Sequence, residues 1–373
     1  MKAIVVHARY PGGNIRVNGI EEQERTVHVE QEIRDSTTWW FYWNFCVEQA
    51  QGTTVHFRFD NGEVIGPWGP AVSVDGERWE WLMERGTYDR TSFTYTFGET
   101  ENRVYFAFCM PYQWADYRRF LQRKDVQAGL RQEVLTRSRQ GNEVPLLVLG
   151  PDQAKHRMLL TCRHHACESS ASYVLEGVMD AFLQDPTAGR LLQDCQVHIV
   201  PFVDLDGVEQ GDQGKSRAPH DHNRDYIEQP IYPETAAVME YVRKLQPDVA
   251  IDLHAPWKWG GPNDQLFIVK HHTPGKEQQE AFGKLLQAAS KDGELIYTGE
   301  WDIESDVDWN LSTNRTASKY YRDLEILLCF TFEIPYFGTG ETVYTQANLR
   351  DFGRSFARAL ADYLDGIGEK QGR

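Results

Sequence analysis

The chain has 373 residues, 41% hydrophobic and 25% charged, enough for two soluble domains with buried cores. Lys and Arg number 39 against 55 Asp and Glu, a formal charge of −16, and a field of that sign repels nucleic acid and anionic membrane surfaces as main partners. No apolar run reaches the roughly 20 residues that span a bilayer. The opening MKAIVVHARYPGG is interrupted by His7 and Arg9 where a secretory signal needs unbroken apolar residues. Six scattered cysteines without a Cys-x-x-Cys pair exclude a disulfide scaffold or thiolate zinc ribbon and suit a reducing cytoplasm.

Trp39, Phe41, Trp43, Phe45 and Val47 alternate with Trp40, Tyr42, Asn44 and Cys46, a period-two strand pattern with bulk on both faces. Val55, Phe57 and Phe59 continue the alternation into Asn61-Gly62, a dipeptide suited to a tight hairpin turn. Phe93, Tyr95 and Phe97 alternate again before the apolar run 104–109. Residues 1–110 therefore read as an antiparallel β-sandwich. Over 111–373 the pattern changes. Segments 146–149, 158–162, 197–203, 249–253 and 326–334 are buried-strand candidates, and helical spacing marks 173–183, 233–245, 278–291 and 348–364. The alternation predicts a doubly wound α/β domain on a mixed, mainly parallel sheet. Segment 118–139 is locally basic, either a solvated helix face or a basic funnel if it folds beside a site.

The chemistry concentrates where predicted strands end. After the strand at 158–162 come His165 and Glu168, and a helix starts near Ser169 or Ser170. In an open α/β sheet, ligands bind at the carboxyl ends of strands. An imidazole and a carboxylate from one turn hold Zn²⁺ while leaving room for a distant third ligand and a water. Alone the spacing arises by chance in many loops, and His164 adds a register ambiguity. His254, ending the apolar strand at 249–253, completes a two-His, one-carboxylate set; His220 and His222 compete from a polar loop. Asn223 and Arg224 offer an amide and a planar guanidinium for gripping a carboxylate. Asp221 is placed to fix the tautomer of a zinc-bound histidine. Glu333 lies in the apolar strand CFTFEIP, where burial raises a carboxyl toward a general base unless a structural arginine pairs with it.

In this order the pieces resemble the zinc metallocarboxypeptidase family, most closely its cytosolic carboxypeptidase branch. The likeness rests on His165 to Ser169, Asp206-Gly207, Asp221 to Arg224, Asp252-Leu253-His254 and Phe332-Glu333. It extends to WWFYWNF at 39–45, VYFAFCMPYQWADYRRFL at 104–121 and Leu146-Leu147, which look like the branch's β-sandwich, junction and a strand. The resemblance implies that His165, Glu168 and His254 are the zinc ligands. It makes Glu333 the base and Asn223 with Arg224 the grip on the substrate's terminal carboxylate. Two departures stand out. Asp204-Leu205-Asp206-Gly207 replaces Asn-Pro-Asp-Gly, and the family's oxyanion arginine falls by count on Gly214. Lys215 and Arg217 stand nearby, and Arg217 is the expected substitute. The family's mobile tyrosine has no clear counterpart beyond the candidates Tyr320 and Tyr321.

The reaction implied is zinc-assisted hydrolysis of a C-terminal peptide bond in peptides or protein tails, with removal of glutamate suggested by the branch. The aromatic run at Trp257 and Trp259 instead suits a hydrophobic last residue. Two alternatives stay open: an N-acyl amino acid deacylase of the aspartoacylase type, and a non-catalytic peptide-binding protein on the same scaffold.

Overall fold

The computed structural model describes residues 4–38, 40–272, 275–339 and 341–371. Among them, nine strands precede residue 110: β1 (Val5–His7), β2 (Arg16–Glu21), β3 (Thr26–Glu30), β4 (Asn44–Glu48), β5 (Thr54–Phe59), β6 (Ala71–Ser73), β7 (Glu80–Trp81), β8 (Ser92–Thr96) and β9 (Arg103–Ala107). They form two sheets, β1-β4-β9-β6-β7 and β2-β3-β5-β8. Alternating aromatic residues face inward from both, so Phe57 meets Phe106 across the gap with ring centroids 5.4 Å apart. The pairing is antiparallel except between β3 and β5, which run parallel.

Two local expectations fail. The alternation at 39–47 becomes a strand only from Asn44; Phe41 and Trp43 are buried without ladder pairing, and Trp39 lies outside the described residues. Asn61-Gly62 forms a bend, not a hairpin, because β5 pairs with β3 and β8. The following residues include Gly66, Pro67, Gly69 and Pro70, and prolines without N–H groups make a poor continuation of a ladder.

Seven strands build the second sheet: β10 (Leu130–Arg137), β11 (Glu143–Leu149), β12 (His156–Cys162), β13 (Cys195–Val200), β14 (Val249–His254), β15 (Phe267–Val269) and β16 (Leu328–Glu333). Their order is β10-β11-β13-β12-β14-β16-β15. The four central strands β13, β12, β14 and β16 are parallel, and the flanking pairs are antiparallel. Buried on both faces, the central strands carry continuous apolar runs. Leu160 and Ile251 face the helices Ser169–Gln184, Lys276–Ser290 and Gln346–Gln371. Leu159 and Ala250 face Pro233–Leu245 and Ala317–Asp323 on the other side. Among the described residues, no helix is long and apolar enough to cross a membrane.

This register positions the chemistry. His254 ends β14 directly opposite Glu333, which ends β16. The turn after β12 opens beside them, at the carboxyl edge of the parallel strands.

Candidate metal centre

The turn after β12 is shaped by a buried cation. Arg163 adopts a left-handed backbone conformation (φ 60°), and its guanidinium donates to the carbonyls of Tyr112 and Ala166 and to Ser172 Oγ. These bonds curl residues 163–168 so that His165 and Glu168 face one point, with Glu168 just ahead of the helix Ser169–Gln184.

There, His165 Nδ1 lies 2.8 Å from Glu168 Oε1, and His254 Nδ1 lies 2.9 Å from Glu168 Oε2. One ligand atom from each of the three residues falls within 4.8 Å of the others. The outer ring nitrogens are taken from behind: Asp252 Oδ2 lies 2.6 Å from His254 Nε2, and Asp221 Oδ1 lies 3.4 Å from His165 Nε2. Despite its 2.9 Å approach to His254, Glu168 Oε2 is buried without a hydrogen-bond partner, so carboxylate and imidazole point at common space instead of at each other. Donors converging in this way fit a divalent ion, and two nitrogens with one oxygen fit zinc. Burial would raise the Glu168 carboxyl, but Lys215, His165 and His254 hold it well below the ordinary range. Glu333 goes the other way. Burial raises its pKa, and its Oε2 is buried without a partner.

These groups line a cavity of about 470 Å³ that also includes Asp221, Asn223, Arg224, Lys215 and Lys319. Asn223 Oδ1 accepts from the Ala317 N–H at 3.0 Å, and its amide nitrogen lies 3.3 Å from His254 Nε2. Arg224 donates to the Asn223 carbonyl at 3.2 Å and faces the cavity.

The rival histidines lie elsewhere. His220 pairs with Asp225 at 2.6 Å, and His222 stacks on Tyr232. His164 sits behind the centre, 2.8 Å from Asp252 Oδ1 and 2.7 Å from the Tyr226 hydroxyl. Tyr321 is buried with its hydroxyl 3.3 Å from Thr161 Oγ1, Tyr320 packs on Tyr226, and neither lines the cavity.

The expectation for Arg217 needs correction. Its guanidinium is held by Asp204 (2.6 Å), Asp212 (2.8 Å) and Asp35 (2.8 Å), outside the wall of the cavity. Three carboxylates converging on one guanidinium hold the cation away from the cavity. Lys215 faces the centre instead, with Nζ 2.8 Å from Glu168 Oε1 and donating to the carbonyls of Ala255 (2.9 Å) and Pro256 (3.2 Å). The basic segment 118–139 supplies no funnel. Arg119 pairs with Glu77, Arg123 with Asp180, Arg131 with Asp152 and Arg137 with Glu143, and none of these arginines lines the cavity. Lys319 was not anticipated; it lines the cavity from the helix Ala317–Asp323, brought there by tertiary packing alone.

Two imidazoles and a carboxylate at the edge of parallel strands, with a buried carboxylate beside them, define the class of mononuclear zinc hydrolases. Residues 129–366 match the family described as zinc carboxypeptidase, and residues 6–109 match the cytosolic carboxypeptidase N-terminal domain. The chain belongs to the zinc carboxypeptidase family: it is a metallocarboxypeptidase with zinc as cofactor. It is 25% identical to cytosolic carboxypeptidase 6 of Caenorhabditis elegans, over 97% of this chain and 87% of that protein. It shares its fold with a metallo-carboxypeptidase from Burkholderia cenocepacia (TM-score 0.81, 20% identity, covering 98% of this chain and 100% of that one). A metallo-carboxypeptidase from Pseudomonas aeruginosa, in complex with (2-guanidinoethylmercapto)succinic acid, shares it too (TM-score 0.80, 21% identity, covering 97% and 99%).

Proposed function

We propose that the enzyme removes an acidic residue, glutamate foremost, from the carboxyl terminus of peptides or protein tails in the cytoplasm. In this reading His165, Glu168 and His254 hold the zinc, and Asp221 orients His165. What zinc supplies there is Lewis-acid polarisation of the scissile carbonyl and activation of water. Asn223 and Arg224 grip the terminal carboxylate, which restricts the reaction to chain ends. Glu333, in its ionised form, accepts a proton from the attacking water and passes it to the leaving amine. Lys215 stabilises the oxyanion developing on the scissile carbonyl.

Lys319 carries the choice of glutamate. Its nitrogen donates to the Leu311 carbonyl. Burial, with Arg322 and Arg224 nearby, pushes its pKa down to about 8, the sign of positive charge without enough counter-charge. A substrate carboxylate supplies that charge. All six cysteines are free and buried, which suits a reducing compartment. The test is a panel of acylated dipeptides differing only in the last residue. Glutamate should give the highest kcat/KM, with aspartate next; faster turnover of leucine, phenylalanine or lysine ends rejects the reading.

A further inference from the structure

We infer that the indoles of Trp40 and Trp257 form the subsite for the residue just before the scissile bond. The favoured tail then ends in an aromatic or aliphatic residue followed by an acidic one, not in a run of acidic residues. This rests on the acidic-end reading above.

The cavity has two chemically distinct ends. Around the carboxylate grip it is tied to the helix that carries Lys319, through Asn223 Oδ1 to the Ala317 N–H and through Ser318 Oγ to Thr331 Oγ1 at 2.8 Å. Val269, Thr331 and Ile303, joined by strand pairing and a bridge, line that end. Across Glu168 and His254 lies the other wall, where Lys215 donates to the carbonyls of Ala255 and Pro256 and its nitrogen sits 5.7 Å from the Trp40 ring centroid. A peptide with its last residue in the grip and its scissile carbonyl at the metal centre must lay the preceding residue along this wall.

The wall is aromatic. Trp40 and Trp257 meet with ring centroids 4.7 Å apart, and Phe41 supports Trp257 edge-on at 5.3 Å. Trp257 lines the cavity and is 38% exposed. The wall is also fixed in place. Ser36 Oγ donates to the Lys215 carbonyl (3.0 Å), Thr37 N–H to the Ser216 carbonyl (2.8 Å), and Gln31 Nε2 to the Trp40 carbonyl (2.8 Å). The segment after the first β-strands is thus stitched onto the loop that carries Lys215. Indole faces bear a negative quadrupole that welcomes apolar and aromatic groups and disfavours carboxylates. The net charge of −16 repels a polyanionic tail at long range, and Arg119 and Arg123 of the basic segment are engaged by Glu77 and Asp180.

The experiment measures kcat/KM of the zinc-loaded full-length enzyme on N-acetylated peptides ending Phe-Glu, Leu-Glu, Ala-Glu, Glu-Glu and Phe-Leu. Phe-Glu and Leu-Glu are expected to exceed Glu-Glu by about 10-fold or more, the scale of discrimination by one apolar pocket. In Trp40→Ala and Trp257→Ala the ratio of Phe-Glu to Ala-Glu should collapse toward unity, whereas Trp40→Phe and Trp257→Phe keep most of it. Glu-Glu turned over as fast as Phe-Glu by the unmutated enzyme overturns this inference and leaves the acidic-end reading intact. Phe-Leu outpacing Phe-Glu overturns the acidic-end reading itself.

Discussion

Asp252 Oδ2 sits 2.6 Å from His254 Nε2, on the side of the ring away from Glu168. The other carboxylate oxygen accepts from Thr161 Oγ1 at 2.8 Å and lies 2.8 Å from His164 Nδ1. Burial would raise this carboxyl, yet His164 and His254 hold it well below its usual range. A carboxylate here fixes the proton of His254 on Nε2, leaving Nδ1 free to ligate.

Asp252→Asn offers that ring an N–H as readily as an oxygen and loses the negative charge behind it. Zinc affinity should fall about 10–100-fold, the usual cost of losing a ligand's supporting acceptor. Competition against a chromophoric chelator reads this directly; unchanged affinity would mean that His254 is oriented by packing alone.

Lys215 should matter in the transition state more than in the ground state, since its ammonium is held beside Glu168 before substrate arrives. Lys215→Met is expected to lower kcat by about 10²–10³, the range for loss of one oxyanion donor, with KM far less affected. A variant with unchanged kcat and raised KM would make Lys215 a binding residue instead.

Glu333→Gln keeps the shape of the base and removes its proton affinity. Turnover should disappear while one equivalent of zinc remains by elemental analysis, because the ligands come from the turn after β12 and the end of β14, and Glu333 from the end of β16. Substantial hydrolysis by this variant assigns the proton transfer to another group.

Much of this site is legible along the chain because its parts sit at the ends of buried parallel strands. Such strands read as unbroken apolar runs, so polar residues ending them, His254 and Glu333, stand out. His165 and Glu168 share one turn, and their common spacing gains meaning only once His254 stands at the end of a second strand. What the sequence hides depends on distant partners. Arg217 and Lys215 are near neighbours of the same charge class. Only the arrival of Asp35 and Asp204 beside Asp212 of the same loop decides which of them turns away. The parallel pairing of β3 with β5 is hidden for the same reason, as is Lys319, whose helix gives no local sign that one face lines a cavity.

The proposed preference for acidic ends carries a pH signature at Lys319. With its pKa lowered to about 8 by burial, Arg322 and Arg224, and with Asp306 acting in the opposite direction, it is charged below pH 8 and increasingly neutral above. The cation is the form that attracts a glutamate side chain. KM for a glutamate-ended peptide should therefore rise as pH passes upward through about 8, while a leucine-ended peptide shows no such rise. Lys319→Met should abolish both the preference and the rise.

Arg217 supplies the contrasting case of a cation with a structural task. Its guanidinium neutralises Asp204 and Asp212, both buried, and reaches Asp35; Arg34 shares Asp212 at 2.6 Å. Asp204 is also committed to the Gly207 N–H at 3.0 Å, so it has little freedom to turn toward water when its partner is lost. Removing one member of a buried ion network leaves uncompensated charge and costs roughly 3–5 kcal/mol. Arg217→Met should accordingly lower the thermal midpoint by several degrees or more. Well below that midpoint it should keep kcat within about 10-fold of the unmutated enzyme, because the side chain lies off the cavity wall. An oxyanion residue would behave in the opposite way, with kcat down about 10²–10³ and the thermal midpoint scarcely moved. Calorimetry and steady-state kinetics on the same preparation separate the two outcomes, and the second would return the catalytic role to Arg217.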